Sequence, residues 1–383
     1  MKHRLVWLGT WFAATRLWSY GFMVLGSFFQ QSGGHYAWSG QTPDGLWYQH
    51  VPNRWLDVFA RWDSMFYVDI ATRGYPPPPA NGGYDYHAAF FPLVPALMRG
   101  LSELVPGLTP FVAGIVLSNL LFFVALAYLE RLVRLDASPD AARAAVVALL
   151  VFPVSAFFSV VYSESTALAL TVIALYAVRS GRPGLSAMAC ALGLWARPTG
   201  WVTCVAVAIE LMRTDEASGA SAQAVLPARY AFRWQLAWLA VPAIALAGVL
   251  ALNYSTVGDP LGFLHVQAGW GRATSFPLSS LFDTRRSIDN HLFALLGLGL
   301  LALAVAQRQR ASLVVFGAVN LLVPLSTGSI QSMPRFVMSN LPLPVALGRF
   351  VVDRPASRRA AVAIGLALLA VYSFRWGAAL QPN

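Results

Sequence analysis

The sequence predicts an all-α fold: a polytopic transmembrane helical bundle of about 11 crossings, one domain over 1–383, with a large first extracytoplasmic loop at 30–105. Three observations predict it. The chain is 57% hydrophobic and 11% charged, whereas soluble chains carry roughly a quarter charged residues, so water cannot be its only solvent. Apolar runs such as Phe111 to Leu129, Ala144 to Phe158, Leu236 to Leu252 and Ala360 to Tyr372 recur along the length, each approaching the ~20 residues a helix needs to cross ~30 Å of hydrocarbon. The runs are continuous rather than alternating in ~10-residue segments, which sets a barrel aside. Several are short, so some helices are expected to be tilted, broken or shielded by neighbours.

The elements follow from where the charges fall. Net charge is +10, but a single lysine, Lys2, accompanies the arginines, which lie mostly in short connections. That pattern anchors a topology and does not build a nucleic-acid patch. Lys2 and Arg4 place the start in the cytoplasm, and Arg16 followed by further apolar sequence marks an uncleaved first helix. The loop to about His87 is acidic, with Asp44, Asp57, Asp63, Asp69 and Asp85 against Arg54, Arg61 and Arg73. Later connections, at Arg131/Arg134/Arg143, Arg179/Arg182, Arg213/Arg229/Arg233, Arg308/Arg310 and Arg349/Arg354/Arg358/Arg359, are basic as cytoplasmic loops should be. Alternating the two assignments gives crossings at 6–29, 110–130, 144–160, 165–179, 184–197, 199–212, 234–254, 291–307, 311–327, 336–350 and 360–376. Phe90 to Val105 breaks the alternation if it crosses, so it is expected to lie in the interface, with Pro92 and Pro95 near its start and Arg99 and Glu103 on its polar side. Cys190 and Cys204 sit in apolar segments without metal spacing and read as small core residues. No internal repeat is visible, which weakens a transporter of inverted repeats.

The stretch from Arg54 to Gly74 carries the chemistry. Trp55, Phe59, Trp62, Phe66 and Ile70 recur at steps of three and four, predicting one helix with an apolar face, ending at Gly74 before Pro76 to Pro79. Asp57 has Arg61 and Asp69 has Arg73 four residues on, the spacing at which opposite charges meet. Asp63 has no such partner and is flanked by Phe59, Ala60, Phe66 and Tyr67. Apolar surroundings of that kind favour the protonated form of a carboxyl group. Two readings of Asp63 stand: a catalytic carboxylate, or one solvated or bonded to backbone elsewhere in the loop. Other outward positions are Glu164 in Tyr162-Ser-Glu-Ser, Arg197 in Arg197-Pro-Thr-Gly200, an outer loop with Asp259, Gln267, Trp270 and Arg272, and Arg335 in Gln331-Ser-Met-Pro-Arg335. An ionisable group at a helix break in lipid is a functional-site candidate, although Arg197 and Arg335 also read as snorkelling anchors.

At these residues the chain resembles the PIG-V-type mannosyltransferase family of the GT-C superfamily, whose eukaryotic members add the second mannose of GPI anchors. The matching pieces are Arg61-Trp-Asp-Ser-Met-Phe-Tyr-Val-Asp-Ile-Ala-Thr-Arg-Gly-Tyr75, Ala89-Phe-Phe-Pro-Leu-Val-Pro95, Phe152 to Ser165, Ala196-Arg-Pro-Thr-Gly200 and Ser332-Met-Pro-Arg335. The family commonly has Asn-Gly after the arginine, where this chain has Pro198-Thr-Gly200, so a side-chain role at Thr199 does not carry over. The resemblance implies a GT-C fold, a polyprenyl-phosphate-sugar donor and a catalytic Asp that maps onto Asp63. The arginine- and alanine-rich composition suggests a high-GC bacterium, without a GPI acceptor, and an inner (plasma) membrane location.

The expected function is therefore a membrane mannosyltransferase acting on a lipid or glycan acceptor at the extracytoplasmic side by inversion, with Asp63 as general base. Arg197 or Arg335 would hold the lipid phosphate, while Arg61, Tyr67, His87, Glu164, Gln267 and Trp270 are candidates to line the substrate pocket. No cofactor, metal or nucleic-acid partner is expected. The competing class is a transporter or flippase of lipid-linked saccharides, which would need charged or broken helices at mid-membrane and some repeat symmetry.

Overall fold

A computed structural model describes residues 2–30, 51, 53–77, 85–213 and 233–380. Pro78, Pro79 and Arg229, together with the whole 31–50 stretch of the first loop, Asp44 included, lie outside the described residues. All regular elements among the described residues are helical. In chain order they are α1 (Lys2–Ser27), α2 (Arg54–Asp57), α3 (Ser64–Arg73), α4 (Leu93–Leu104), α5 (Pro110–Val133), α6 (Pro139–Leu150), α7 (Glu164–Arg179), α8 (Pro183–Ala196), α9 (Trp201–Met212), α10 (Ala240–Val257), α11 (Gly262–His265), α12 (Ile288–Ala306), α13 (Ala311–Leu325), α14 (Met333–Met338), α15 (Pro342–Val351) and α16 (Pro355–Gly377). The chain is a multi-pass membrane protein. Four stretches, Pro110–Val133, Trp234–Val257, Ile288–Ala306 and Pro355–Gly377, are long and apolar enough to cross a bilayer alone. Shorter apolar helices, among them Pro183–Ala196 and Ala311–Leu325, accompany them.

Local chemistry sets the helix starts. Thr109 and Ser138 each stand before a proline at the first helical position, and their hydroxyls accept from the N–H of Val112 and Ala141, which satisfies donors that a helix N-terminus leaves open. α4 confirms the helix expected within 90–105: Pro92 is its cap, Val94, Pro95 and Met98 are buried, and Arg99 pairs with Glu103 on the exposed side at 2.9 Å. Cys190 is buried and Cys204 half-buried.

Two predicted crossings are not single helices. The 144–160 run is α6 followed by a broken connection through 163, with a short 3-10 turn at Ser155–Phe158, and the 336–350 run is divided between α14 and α15. Broken helix inside an apolar bundle leaves carbonyls that water cannot reach, and such backbone is tolerated only where protein satisfies it. Arg16 of α1 does so: buried, it donates to Leu150 O at 2.9 Å, Ser155 O at 2.7 Å and Ser155 Oγ at 2.8 Å. α1 and α16 press against each other through small residues. Ser19 and Ser373 hydroxyls meet at 2.8 Å, and a methyl group on Gly377 would fall 1.8 Å from Met23 O.

Candidate active site

The predicted Arg54 to Gly74 helix is interrupted, and the interruption builds the site. α2 stops at Asp57, Val58 to Trp62 turn, and α3 begins at Ser64 and ends at Gly74, whose φ of 83° closes the helix as expected. The backbone of the turn is used by distant elements: Val161 N–H donates to Phe59 O at 3.0 Å and the Trp376 indole to Val58 O at 2.6 Å. These contacts outweigh the helical pattern of Trp55, Phe59 and Trp62. Trp62 stands at φ 44°, a left-handed conformation that costs a bulky residue roughly 1–3 kcal/mol and persists only where surroundings impose it. The result is that Asp63 lies at the mouth of α3 and not along a helix face.

Arg61 faces the other way. Its side chain is 0% exposed and its Nη1 is 2.7 Å from Asp57 Oδ2, Asp57 O and Ala60 O. The predicted Asp57–Arg61 pair is thus present, and it locks the turn from behind; Arg61 does not join the residues in front of Asp63. The Asp69–Arg73 pair also forms.

The expectation that Asp63 has no ionic partner is overturned. Arg335 Nη1 donates to Asp63 Oδ2 at 2.6 Å, while its Nη2 and Nε donate to Glu164 Oε1 at 2.6 and 2.9 Å. Helical spacing surveys only neighbours three and four residues away, and this partner is 272 positions distant. Glu164 opens α7 and is 0% exposed, while Asp63 keeps 29% and Arg335 20% of its side chain open. Beneath the guanidinium lie the Tyr162 ring at 4.5 Å and the Phe157 ring at 5.4 Å, both from the broken connection before α7 and placed for cation–π contact. Burial works against the Arg335 charge, but the carboxylates of Glu164 and Asp63 outweigh it and hold its pKa well above the ordinary value. Ser332, three residues ahead, stands at φ 69°, a second left-handed residue at the same place.

Tyr162 was not expected in the site. Its hydroxyl accepts from Asp63 N–H at 3.2 Å and donates to Arg61 O at 3.1 Å, so it fixes the peptide on which Asp63 stands. Its pKa is raised by burial and by the Asp63 charge, and it stays a neutral donor. The only sequence signal was its place two residues before Glu164. Tyr67, from the first turn of α3, is buried with its hydroxyl bonded to Ser163, its pKa raised by burial and then by Glu164. Arg197 lies in the field of Tyr67, half-buried in the turn between α8 and α9. Among the described residues no hydrogen bond or ion pair engages its guanidinium.

The outer loop after α10 supplies a second wall. Trp270 meets Tyr86 at 4.7 Å and Phe90 at 6.4 Å between ring centres. Gln267 accepts from Arg272 Nη1 at 2.9 Å, and Arg272 feels the charges of Asp63 and Arg335. His87 belongs elsewhere: its Nε2 is 2.9 Å from Asp69 Oδ2 and its Nδ1 bonds Asp85. It pins the 85–90 turn to α3 and does not meet the Asp63 cluster. Among the described residues no three of His, Cys, Asp and Glu are grouped to hold a metal ion.

Residues 42–219 match the family model described as mannosyltransferase (PIG-V). Over that span the chain is similar to the PIG-V mannosyltransferase family. The span holds Asp63, Tyr67, Tyr162, Glu164 and Arg197, whereas Arg335 comes from beyond it. No curated protein matches the chain significantly. Two solved structures of the Archaeoglobus fulgidus oligosaccharyltransferase resemble it. The apo form has a TM-score of 0.49 at 12% identity, covering 98% of this chain and 56% of that one. The complex with an inhibitory peptide and a dolichol-phosphate has a TM-score of 0.48 at 11% identity, with the same coverage. The chain spans about half the length of these oligosaccharyltransferases.

Proposed function

We propose that the chain is a membrane glycosyltransferase of GT-C type, moving a sugar, mannose first among the choices, from a polyprenyl-phosphate donor to a hydroxyl of a lipid or glycan acceptor. The reaction takes place at the extracytoplasmic face of the plasma membrane. The family match supplies the class of transfer, and one observation carries the mechanism: within the matched span, Asp63 stands at the start of α3, partly open, with only Oδ2 held by Arg335.

In the proposed step Asp63 accepts the proton of the acceptor hydroxyl. The acceptor oxygen attacks the anomeric carbon from the face opposite the phosphate, and the bond from that carbon to the phosphate oxygen breaks. The lipid phosphate leaves with the electron pair, and the anomeric configuration inverts. Arg335 orients the base through its hydrogen bond to Oδ2, with Glu164 holding Arg335 from the buried side. Arg197, engaged by no described carboxylate, steadies the departing phosphate, for which a guanidinium fork is suited. Tyr67, Gln267 and Trp270 line the approach.

Asp63→Asn tests this reading, since it keeps volume and removes the base. A positioned general base contributes about 10²–10⁴-fold, so sugar transfer from a polyprenyl-phosphate-mannose donor by the purified variant is expected to fall at least about a hundredfold. Transfer near the wild-type rate would remove Asp63 from the reaction.

A further inference from the structure

At this mouth two more guanidiniums, those of Arg272 and Arg286, form no ion pair with a carboxylate among the described residues. Arg272 is half-buried and, among the described residues, donates to neutral acceptors, Gln267 Oε1 at 2.9 Å and Gln331 O at 3.4 Å. Arg286 is half-buried, and its buried Nε has no hydrogen-bond partner among the described residues. The acids nearest to it in sequence are committed: Asp283 to Arg285 at 2.8 Å and Asp289 to Arg375 at 2.6 Å. Both arginines border one stretch of chain. Asp283 Oδ2 accepts from Ile330 N–H at 3.3 Å, Arg285 Nη2 donates to Gly328 O at 3.1 Å, and Arg272 reaches Gln331 O. That stretch leads directly into α14 and Arg335.

Arg272 and Arg286 lie in each other's fields, and Arg272 also lies in those of Asp63 and Arg335; burial first, then the two cations, bring its pKa down to about 10, so it remains charged. Asp63 and Glu164 are already spent on Arg335. Like charges gathered in a partly desolvated place are unfavourable unless an anion joins them.

We propose that Arg272 and Arg286 form an anion subsite, separate from Arg197, that takes the phosphate ester of a lipid-linked substrate. The inference rests on the transferase reading for the nature of the substrate. The phosphate comes either from the donor, gripped at once by Arg197 and this pair, or from the acceptor lipid, in which case the mouth holds two phosphates.

The test uses the full-length chain purified in a neutral detergent and titrated with dodecyl phosphate, binding being read by calorimetry. Arg272→Gln/Arg286→Gln is expected to weaken binding by about tenfold or more, and Arg308→Gln, at the opposite end of the bundle, to leave it unchanged. One binding event lost in both the double variant and Arg197→Gln identifies the donor phosphate; two events, one lost with each, identify a second, acceptor phosphate. Undiminished binding by the double variant overturns the subsite. Arg286→Gln alone breaks no hydrogen bond in the structure and carries the same test should the double variant not fold. Because this readout needs no turnover, failure of sugar transfer by the wild-type chain would refute the transferase reading while leaving the subsite result to stand or fall by itself.

Discussion

Arg335 sits between two acids in different surroundings, and the difference decides what its loss would do. Glu164 is fully buried, and its Oε2 has no hydrogen-bond partner among the described residues, so removing the arginine leaves a desolvated charge with nothing opposite. Breaking such a buried pair costs about 3–5 kcal/mol. Arg335→Gln is therefore expected to lower the thermal unfolding midpoint by several degrees as well as to abolish transfer. Glu164→Gln combined with Arg335→Gln should regain most of the stability and none of the activity, a split that a double-mutant cycle on unfolding and turnover would reveal. Full activity in Arg335→Gln would show that Asp63 does not depend on it. At this scale the sequence singled out Asp63 as the candidate, because Asp57 and Asp69 have arginines four residues on and Asp63 has none. It could not show that Asp63 is paired, since Arg335 arrives through tertiary folding. Arg61 stood in the same motif as Asp63, yet its partner Asp57 turned it inward.

At the scale of elements, apolar runs located the helices but concealed where they break. Composition says that a stretch is lipid-compatible and nothing about whether its hydrogen bonds are helical, and the 151–163 connection depends on Arg16, which is remote in sequence. The turn between α8 and α9 is the break the sequence did reveal, through Arg197-Pro-Thr-Gly. Its geometry makes a prediction. A methyl group on Gly200 would fall 2.2 Å from Gly193 O and 2.5 Å from Gly193 C, backbone atoms that cannot swing aside. Gly200→Ala is thus expected to push α8 from α9 at a cost of about 1–3 kcal/mol and to move Arg197, raising the KM for the polyprenyl-phosphate donor more than that for the acceptor. Gly193→Ala is the control, because nothing lies within 4 Å of its added methyl. Equal donor KM values in the two variants would detach Arg197 from the donor.

At the scale of the whole molecule, two polar networks lie at opposite ends of α7. Glu164 begins the helix in the Asp63 cluster. Arg179 ends it, bound to Asp136 through two hydrogen bonds of 2.6 and 2.7 Å, with Arg349 on Asp136 O at 3.1 Å and Arg310 on Glu210 at 2.7 Å. Sixteen helical residues separate the networks by about 24 Å, close to the thickness of the hydrocarbon core. The arginine-rich end is the one the charge pattern assigns to the cytoplasm, an assignment that depends on the count of charges near helix ends and not on side-chain geometry. If that assignment holds, the cluster meets its substrates outside. Thr72, exposed in α3, and Ser180, exposed just beyond α7, report the two sides. In a chain with Cys190 and Cys204 replaced by alanine, Thr72→Cys is expected to react with a membrane-impermeant maleimide on intact cells, and Ser180→Cys only after permeabilisation. The reverse pattern would put Asp63 in the cytosol, where a donor presented at the outer leaflet could not reach it, and the proposed reaction would fail for want of a substrate on that side.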